Sequence, residues 1–165
     1  MFENTEIIPE LLDYLSIGVF YSDSEDNCVY VNKEWLSISG LTKEESLGKG
    51  WHKVVHKDDL EYVIKYSLVL KNDFKPIDIF YRILKPSGEL RYVNVKSKVI
   101  FYSNGKVKFF IGSIFDITKI TEAENSLQNT KDYLELLLKT TNDGFCEIDL
   151  NTNEVEYSTR FAKML

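Results

Sequence analysis

After Pro76 the spacing of apolar residues changes from helical to alternating, and that switch governs what the chain can become. Ile77, Ile79, Tyr81 and Ile83 alternate with more polar positions, the period of a half-buried strand. Lys85-Pro-Ser-Gly88 is a turn signal, residues 90–101 read as a long strand, Ser103-Asn-Gly105 as a hairpin turn, and residues 107–117 as another strand. Three extended segments joined this tightly must be antiparallel neighbours. Near the start, residues 18–23 and 28–31 read as two shorter strands around the turn cluster Ser24-Glu-Asp-Asn27.

The stretch between these two sets is helical. Asn32 is placed to cap a helix over residues 33–39, and Thr42-Lys-Glu-Glu45 is a capping box for a second short turn. Residues 51–55 suggest another turn. Asp58-Asp-Leu-Glu61 reads as a further capping box, opening a helix over residues 59–70 with Leu60, Val63, Ile64 and Leu68 on one face. Residues 6–15 read as an N-terminal helix with Pro9 in its first turn. Strands in runs with helices between them predict an α+β fold rather than a doubly wound parallel sheet.

Composition narrows the function classes. With 44% hydrophobic and 28% charged residues among 165, the chain has enough apolar material for a core and is not a disordered tract. A net charge of −6 argues against nucleic acid and anionic membrane as partners. No stretch is long and apolar enough to insert in a bilayer, and the acidic N-terminus is unlike a signal peptide. A cytoplasmic location is therefore expected. Two cysteines, Cys28 and Cys146, make neither a disulfide framework nor a metal knuckle.

From Lys119 the period is helical again. Thr121-Glu-Ala-Glu124 reads as a capping box, and Ile120, Leu127 and Leu134 alternate with Ala123, Thr130 and Leu137 in a heptad seam. This pattern fits either a helix paired with a second copy or an amphipathic helix packed on its own domain. Beyond it the sequence repeats. With Leu11 set on Leu137, and no gap, Leu12 meets Leu138, Gly18 meets Gly144, Asp23 meets Asp149, Asn27 meets Asn153, Val29 meets Val155 and Trp35 meets Phe161. Repeats with so long a period are tandem domains rather than solenoid units. The expected organisation is an N-terminal helical cap over residues 1–15, a complete module over 16–118, a connector helix over 119–141, and the start of a second module over 142–165. On this reading the chain is a piece of a longer protein, and residues 144–165 pack against another surface or are poorly ordered.

The first module resembles the PAS domain of bacterial and archaeal sensory proteins. The resemblance rests on Ser16-Ile-Gly-Val-Phe-Tyr-Ser-Asp23 with Val31-Asn32, on Gly40-Leu-Thr-Lys-Glu-Glu-Ser-Leu-Gly48 followed by Trp51-His-Lys-Val-Val-His56-Lys-Asp-Asp59, and on Tyr81-Arg82, Pro86-Ser-Gly88 and Leu90-Arg-Tyr-Val93. It continues through Phe110-Ile-Gly-Ser113 to a closing Asp116-Ile-Thr118, similar to the PAC motif that ends such domains. Order and spacing together cover residues 10–118, and the tail from Leu137 resembles the opening of a second such domain. The resemblance implies a five-stranded antiparallel sheet with short helices on one face. It also implies sensing of a ligand, light or redox state, frequent dimerisation, and relay to a downstream histidine kinase or diguanylate cyclase of a two-component or related system.

Strand alternation nominates an inner face of Phe20, Ser22, Ile79, Tyr81, Ile83, Val93, Val95 and Ser97. On the strand read over residues 107–117, alternation alone allows either Phe110, Gly112 and Ile114 or Phe109, Ile111 and Ser113, and the resemblance selects the former. Trp35, Val63 and Ile64 are expected to face this sheet from the helices. Such a wall suits a small, largely apolar ligand oriented by a hydroxyl or two, and equally a solid core with Tyr81 and Ser97 bonded internally.

By the family's chemistry, flavin photochemistry needs a cysteine between about Gly40 and His56, and oxygen-sensing heme needs a histidine on the long helix. The sequence has neither, so both cofactors are disfavoured, while noncovalent flavin stays open. His52 and His56 are four apart beside Asp58 and Asp59, but Asp58 is better read as a cap and no metal site is assigned. No nucleophile–base pair is apparent, so no catalytic residue is assigned. Asp116 and Thr118 are expected at the junction of the last strand and the connector, with Thr118 capping the helix and the pair passing sheet strain onward. Two functions remain: a sensory module that relays a signal to a linked effector, or a ligand-free dimerisation module pairing through the N-terminal and connector helices.

Overall fold

A computed structural model describes residues 4–140, 146–148, 152 and 154–157. The chain divides into two units, residues 1–121 and 122–165. In the first, α1 (Asn4–Asp13) precedes the hairpin of β1 (Gly18–Ser22) and β2 (Cys28–Val31). Then come α2 (Lys33–Ser39), α3 (Lys43–Ser46), a 3₁₀ turn (Gly50–Val54) and α4 (Leu60–Asp73). β3 (Ile77–Leu84), β4 (Leu90–Phe101) and β5 (Val107–Asp116) follow. All five strands form one antiparallel sheet in the order β2-β1-β5-β4-β3.

The tight turns set this topology. Gly88 and Gly105 take φ of 87° and 79°, a left-handed backbone that a β-carbon would oppose, and each closes its turn by donating its N–H to Lys85 and Tyr102. The three-strand meander then meets the first hairpin through β5 and β1. Rows of inward residues run across the sheet: Ile77, Ser97, Gly112 and Phe20 in one, and Ile79, Val95, Ile114 and Gly18 in the next. The expected inner face is the observed one: Ile79, Ile83, Val93, Val95, Phe110 and Ile114 are all buried. Each such side chain contributes roughly 1.5–3 kcal/mol of hydrophobic stabilisation.

α2 is capped as expected, with Asn32 Oδ1 accepting from Trp35 N, and Thr42 and Glu45 form a reciprocal capping box on α3. The cap holds Trp35 and Ile38 in the core.

Four expected details are corrected. Pro9 lies in the second turn of α1, which begins at Asn4, so the carbonyl of Thr5 loses the donor that would stand four residues on. On α4, the inward stripe is Val63, Tyr66, Ser67 and Leu70, with Val63 and Leu70 buried, while Ile64 and Leu68 face outward. Apolar residues stand on both stripes, and Ser67 is inside because its hydroxyl donates to Asp26. No capping box opens α4. Asp59 occupies the cap position but turns its carboxylate to Arg82, at 2.6–2.9 Å from three guanidinium and backbone nitrogens, and Asp58 is exposed. Finally, Thr121 does not open the last helix. Its N–H already donates to Ile117 O inside α5 (Thr118–Thr140).

The Asp59–Arg82 pair pins the start of α4 to β3. Hydrogen bonds from Arg82 hold the Asp59 carboxyl below its ordinary 3.8. Its contribution is therefore complete above that pH and lost as pH falls through the lowered folded value. In acid titrations followed by urea unfolding, the native chain is expected to lose more stability below about pH 4 than Asp59→Asn does. Parallel curves would contradict this.

In the second unit, β6 (Cys146–Ile148) pairs antiparallel with β7 (Val155–Tyr157). Gly144, Asp149, Asn153 and Phe161, on which the repeat partly rests, lie outside the described residues, as does most of the segment expected to pack elsewhere. Among the described residues no helix is long and apolar enough to cross a membrane.

Candidate functional site

The helices do not fill the space above the sheet. A cavity of about 70 Å³ lies between the inner face and α2, α4 and the 3₁₀ turn. Of the residues nominated from sequence, Phe20, Ser22, Trp35, Val63, Ile79, Tyr81, Val95, Ser97 and Phe110 line it. Four do not. Ile83, Val93 and Ile114 are buried in solid core beside it. Gly112 is the seat of the Phe20 ring, since a β-carbon there would come within 2.3 Å of Phe20 Cζ and 2.7 Å of Lys96 O. Alternation identifies the face of a strand but not where along that face the helices stand off.

Six lining residues escaped the sequence reading: Asp26, Cys28, Trp51, Ser67, Leu70 and Ile77. Ile77 was legible in the strand period and Leu70 and Ser67 in the stripe with Val63. Asp26, Cys28 and Trp51 come from a turn, an edge strand and a 3₁₀ turn, whose side-chain directions have no simple period.

The wall is apolar with a few hydroxyls. Ser97 Oγ is committed to Ile111 O at 2.9 Å, and Ser67 Oγ to Asp26 Oδ2 at 2.6 Å. The hydroxyls of Tyr81 and Ser22 make no hydrogen bond to any described residue, although Ser22 is only 4% exposed. Burial alone raises the Tyr81 phenol far above its ordinary value and pushes the Cys28 thiol up to about 11. The one charged wall residue, Asp26, is neutralised by Lys49 Nζ at 2.9 Å. The cavity is thus an uncharged compartment with two uncommitted hydroxyls.

The histidines stand apart from it in role. The His52 ring meets the Trp51 ring edge-on at 4.1 Å, and His56 Nδ1 accepts from Asp58 N. Burial lowers the His52 pKa.

At the far end of β5 the sheet grips the start of α5. Asp116 Oδ1 accepts from Thr118 N at 2.9 Å, and Asp116 Oδ2 takes the Arg91 guanidinium at 2.6 Å. Burial opposes ionisation of Asp116, but the Thr118 bonds and Arg91 outweigh it and hold its pKa low. Thr118 does not use its hydroxyl as the expected cap. Its Oγ1 accepts from Tyr92 N at 3.0 Å, tying the helix start to β4, while Asp116 meets the first free N–H. Ile117 N donates to Tyr92 O. The helix start is therefore bonded to two neighbouring strands.

A family profile described as the PAS fold matches residues 28–114, and the chain belongs to that family. Over 95 residues it is 32% identical to the uncharacterized protein y4lL of Sinorhizobium fredii, and over 85 residues it is 34% identical to a methyl sulfide methyltransferase-associated sensor of Methanosarcina acetivorans. These alignments take in 58% and 50% of the chain but only 12% and 8% of the two relatives. Solved structures agree on the fold. A sensory box histidine kinase/response regulator from Burkholderia thailandensis superposes with a TM-score of 0.60 at 20% identity, over 79% of this chain and 98% of that one. The N-terminal domain of a diguanylate cyclase with PAS/PAC sensor from Marinobacter aquaeolei gives 0.59 at 18%, over 64% and 98%. A light-oxygen-voltage domain solved with a flavin analogue gives 0.60 at 16%, over 78% and 97%.

Proposed function

We propose that residues 16–118 are a sensory PAS module, closed by a PAC motif, that binds a small neutral molecule in its core cavity. The cavity wall carries this reading: the hydroxyls of Tyr81 and Ser22 line it and bond to no described residue, so both are available to orient a bound molecule. The ligand would sit among Phe20, Trp35, Val63, Ile79, Val95, Ser97 and Phe110. A wall without net charge favours an uncharged molecule. A volume of about 70 Å³ favours one of few atoms. The family's adduct-forming cysteine has no counterpart between residues 40 and 56, which disfavours adduct-forming flavin photochemistry and leaves noncovalent flavin open.

The signal would leave through Asp116 and Thr118 into the connector helix over residues 119–141. From there it would reach an output domain of a longer protein, a histidine kinase or a diguanylate cyclase, with residues 142–165 opening a second PAS domain. The names of the kinase and cyclase relatives support this, as does the double attachment of α5 to the sheet. In this reading the chain has no catalytic residue of its own and works in the cytoplasm. A second reading, pairing of two copies through the N-terminal and connector helices, is favoured by exposed Ile120, Leu127 and Leu134 along one seam of α5 and by exposed Leu11 and Tyr14 near the end of α1.

Tyr81→Phe separates a ligand contact from a structural one. The hydroxyl holds no protein group, so urea unfolding is expected to be unchanged or slightly improved. Retention of the bound molecule in native mass spectrometry is expected to fall about tenfold in affinity, the loss of one good hydrogen bond. A destabilised variant, or one with undiminished retention, would contradict the assignment.

A further inference from the structure

One side of the cavity is closed differently from the rest. Most of its wall is sheet or packed helix, but Asp26 reaches it from the β1–β2 turn and meets Ser67 of α4, a residue distant in sequence, at 2.6 Å. The same carboxylate takes Lys49 at 2.9 Å, and Glu25 beside it takes Lys71 of α4 at 3.1 Å. We propose that this turn is a latch through which the cavity exchanges its contents, held shut by Asp26 and Glu25 against Ser67, Lys49 and Lys71.

The turn is built to move as a piece. Asp23 Oδ1 accepts from the N–H groups of Glu25 and Asn27, both at 2.9 Å, and Asp23 N donates to Asn27 O, so the segment holds its own shape. It is flanked on β1 by a break in register between Tyr21 and Ser22, and Asp26 carries a left-handed φ of 65°. β2, to which it leads, is a four-residue strand at the sheet edge. The contacts that fasten it are polar and partly wet, with Lys49 and Glu25 at 46% and 73% side-chain exposure. Such pairs are individually weak and are screened by salt, whereas the remaining walls would have to give up buried apolar area to part. The proposal rests on the cavity being a binding site and names how access to it is controlled.

Cys28 supplies a built-in reporter. It lines the cavity next to the turn, is 5% exposed, and has its thiol held protonated by burial, so it should react slowly while the latch is closed. In a Cys146→Ser chain, modification of Cys28 by N-ethylmaleimide, followed by intact mass, measures opening. Added salt is expected to speed the reaction severalfold. Asp26→Gly with Lys71→Ala is expected to speed it about tenfold and to remove the salt dependence, with the urea midpoint unchanged; glycine accepts the positive φ at that position. Should the double variant lose stability, Glu25→Gln with Lys71→Ala tests the latch from its solvent side. A rate indifferent to salt and to both variants, or one that rises only with global unfolding, would overturn the latch. No ligand enters this measurement, so failure to find a retained molecule would overturn the proposed function without deciding the latch.

Discussion

Replacing Asn32 by Ala is expected to cost about 3–5 kcal/mol of stability, a very large effect for one polar side chain. Asn32 is 1% exposed and uses its whole amide. Oδ1 accepts from Val19 N at 2.8 Å and from Trp35 N at 3.0 Å, while Nδ2 donates to Leu12 O at 2.7 Å and Ile17 O at 2.9 Å. One side chain therefore joins β1, the start of α2, and the segment leaving α1. Alanine would strand these four backbone groups, several of them away from water, and remove the helix cap. Asn32→Asp is a sharper variant. It keeps the two acceptor bonds but sets a carboxylate against two carbonyls, so amide exchange in α1 should accelerate while α2 stays protected. Urea unfolding and hydrogen exchange read both. A loss under about 1 kcal/mol for Asn32→Ala would show that the hub is not needed.

Gly112→Ala is expected to do two things at once. The new methyl would lie 2.3 Å from Phe20 Cζ, 2.8 Å from Phe20 Cε1 and 2.7 Å from Lys96 O. The carbonyl belongs to β4, paired with β5 along most of its length, and cannot withdraw cheaply. The Phe20 ring is the part able to turn, and Phe20 lines the cavity. Stability should fall by about 1–3 kcal/mol, the range for overpacking. Retention of a bound molecule should fall more than Tyr81→Phe lowers it, because the ring would take up space rather than remove one bond. An alanine variant with native stability and native retention would mean that Phe20 has another place to go.

How much of this was legible in the sequence follows from what kind of pattern each feature has. The sheet was readable because period two and the glycine turns are local signals, and the β3–β4–β5 meander leaves little choice of pairing. Asn32 as a cap was readable for the same reason, but its bonds to Leu12 and Ile17 were not, since nothing local announces a contact across the N-terminal segment. The two failed capping boxes, at Asp58 and Thr121, have different causes. Their residue types fit, but Asp59 is claimed by Arg82 from a strand far along the chain, and α5 has already begun when it reaches Thr121. A tertiary partner outbids a local one when it offers charge-assisted bonds. The cavity was half legible. The sheet wall came from alternation, whereas Asp26, Cys28 and Trp51 reach it from turns and an edge strand.

The account stands on the core being hollow rather than packed solid, and xenon tests this directly. Crystals of the chain, refolded from denaturant so that no retained molecule competes, would be exposed to xenon under pressure. The expected result is a xenon atom on the inner face of the sheet among Phe20, Trp35, Val63, Ile79 and Phe110, since xenon enters dry apolar cavities. Continuous side-chain packing with no xenon at that place would contradict the account.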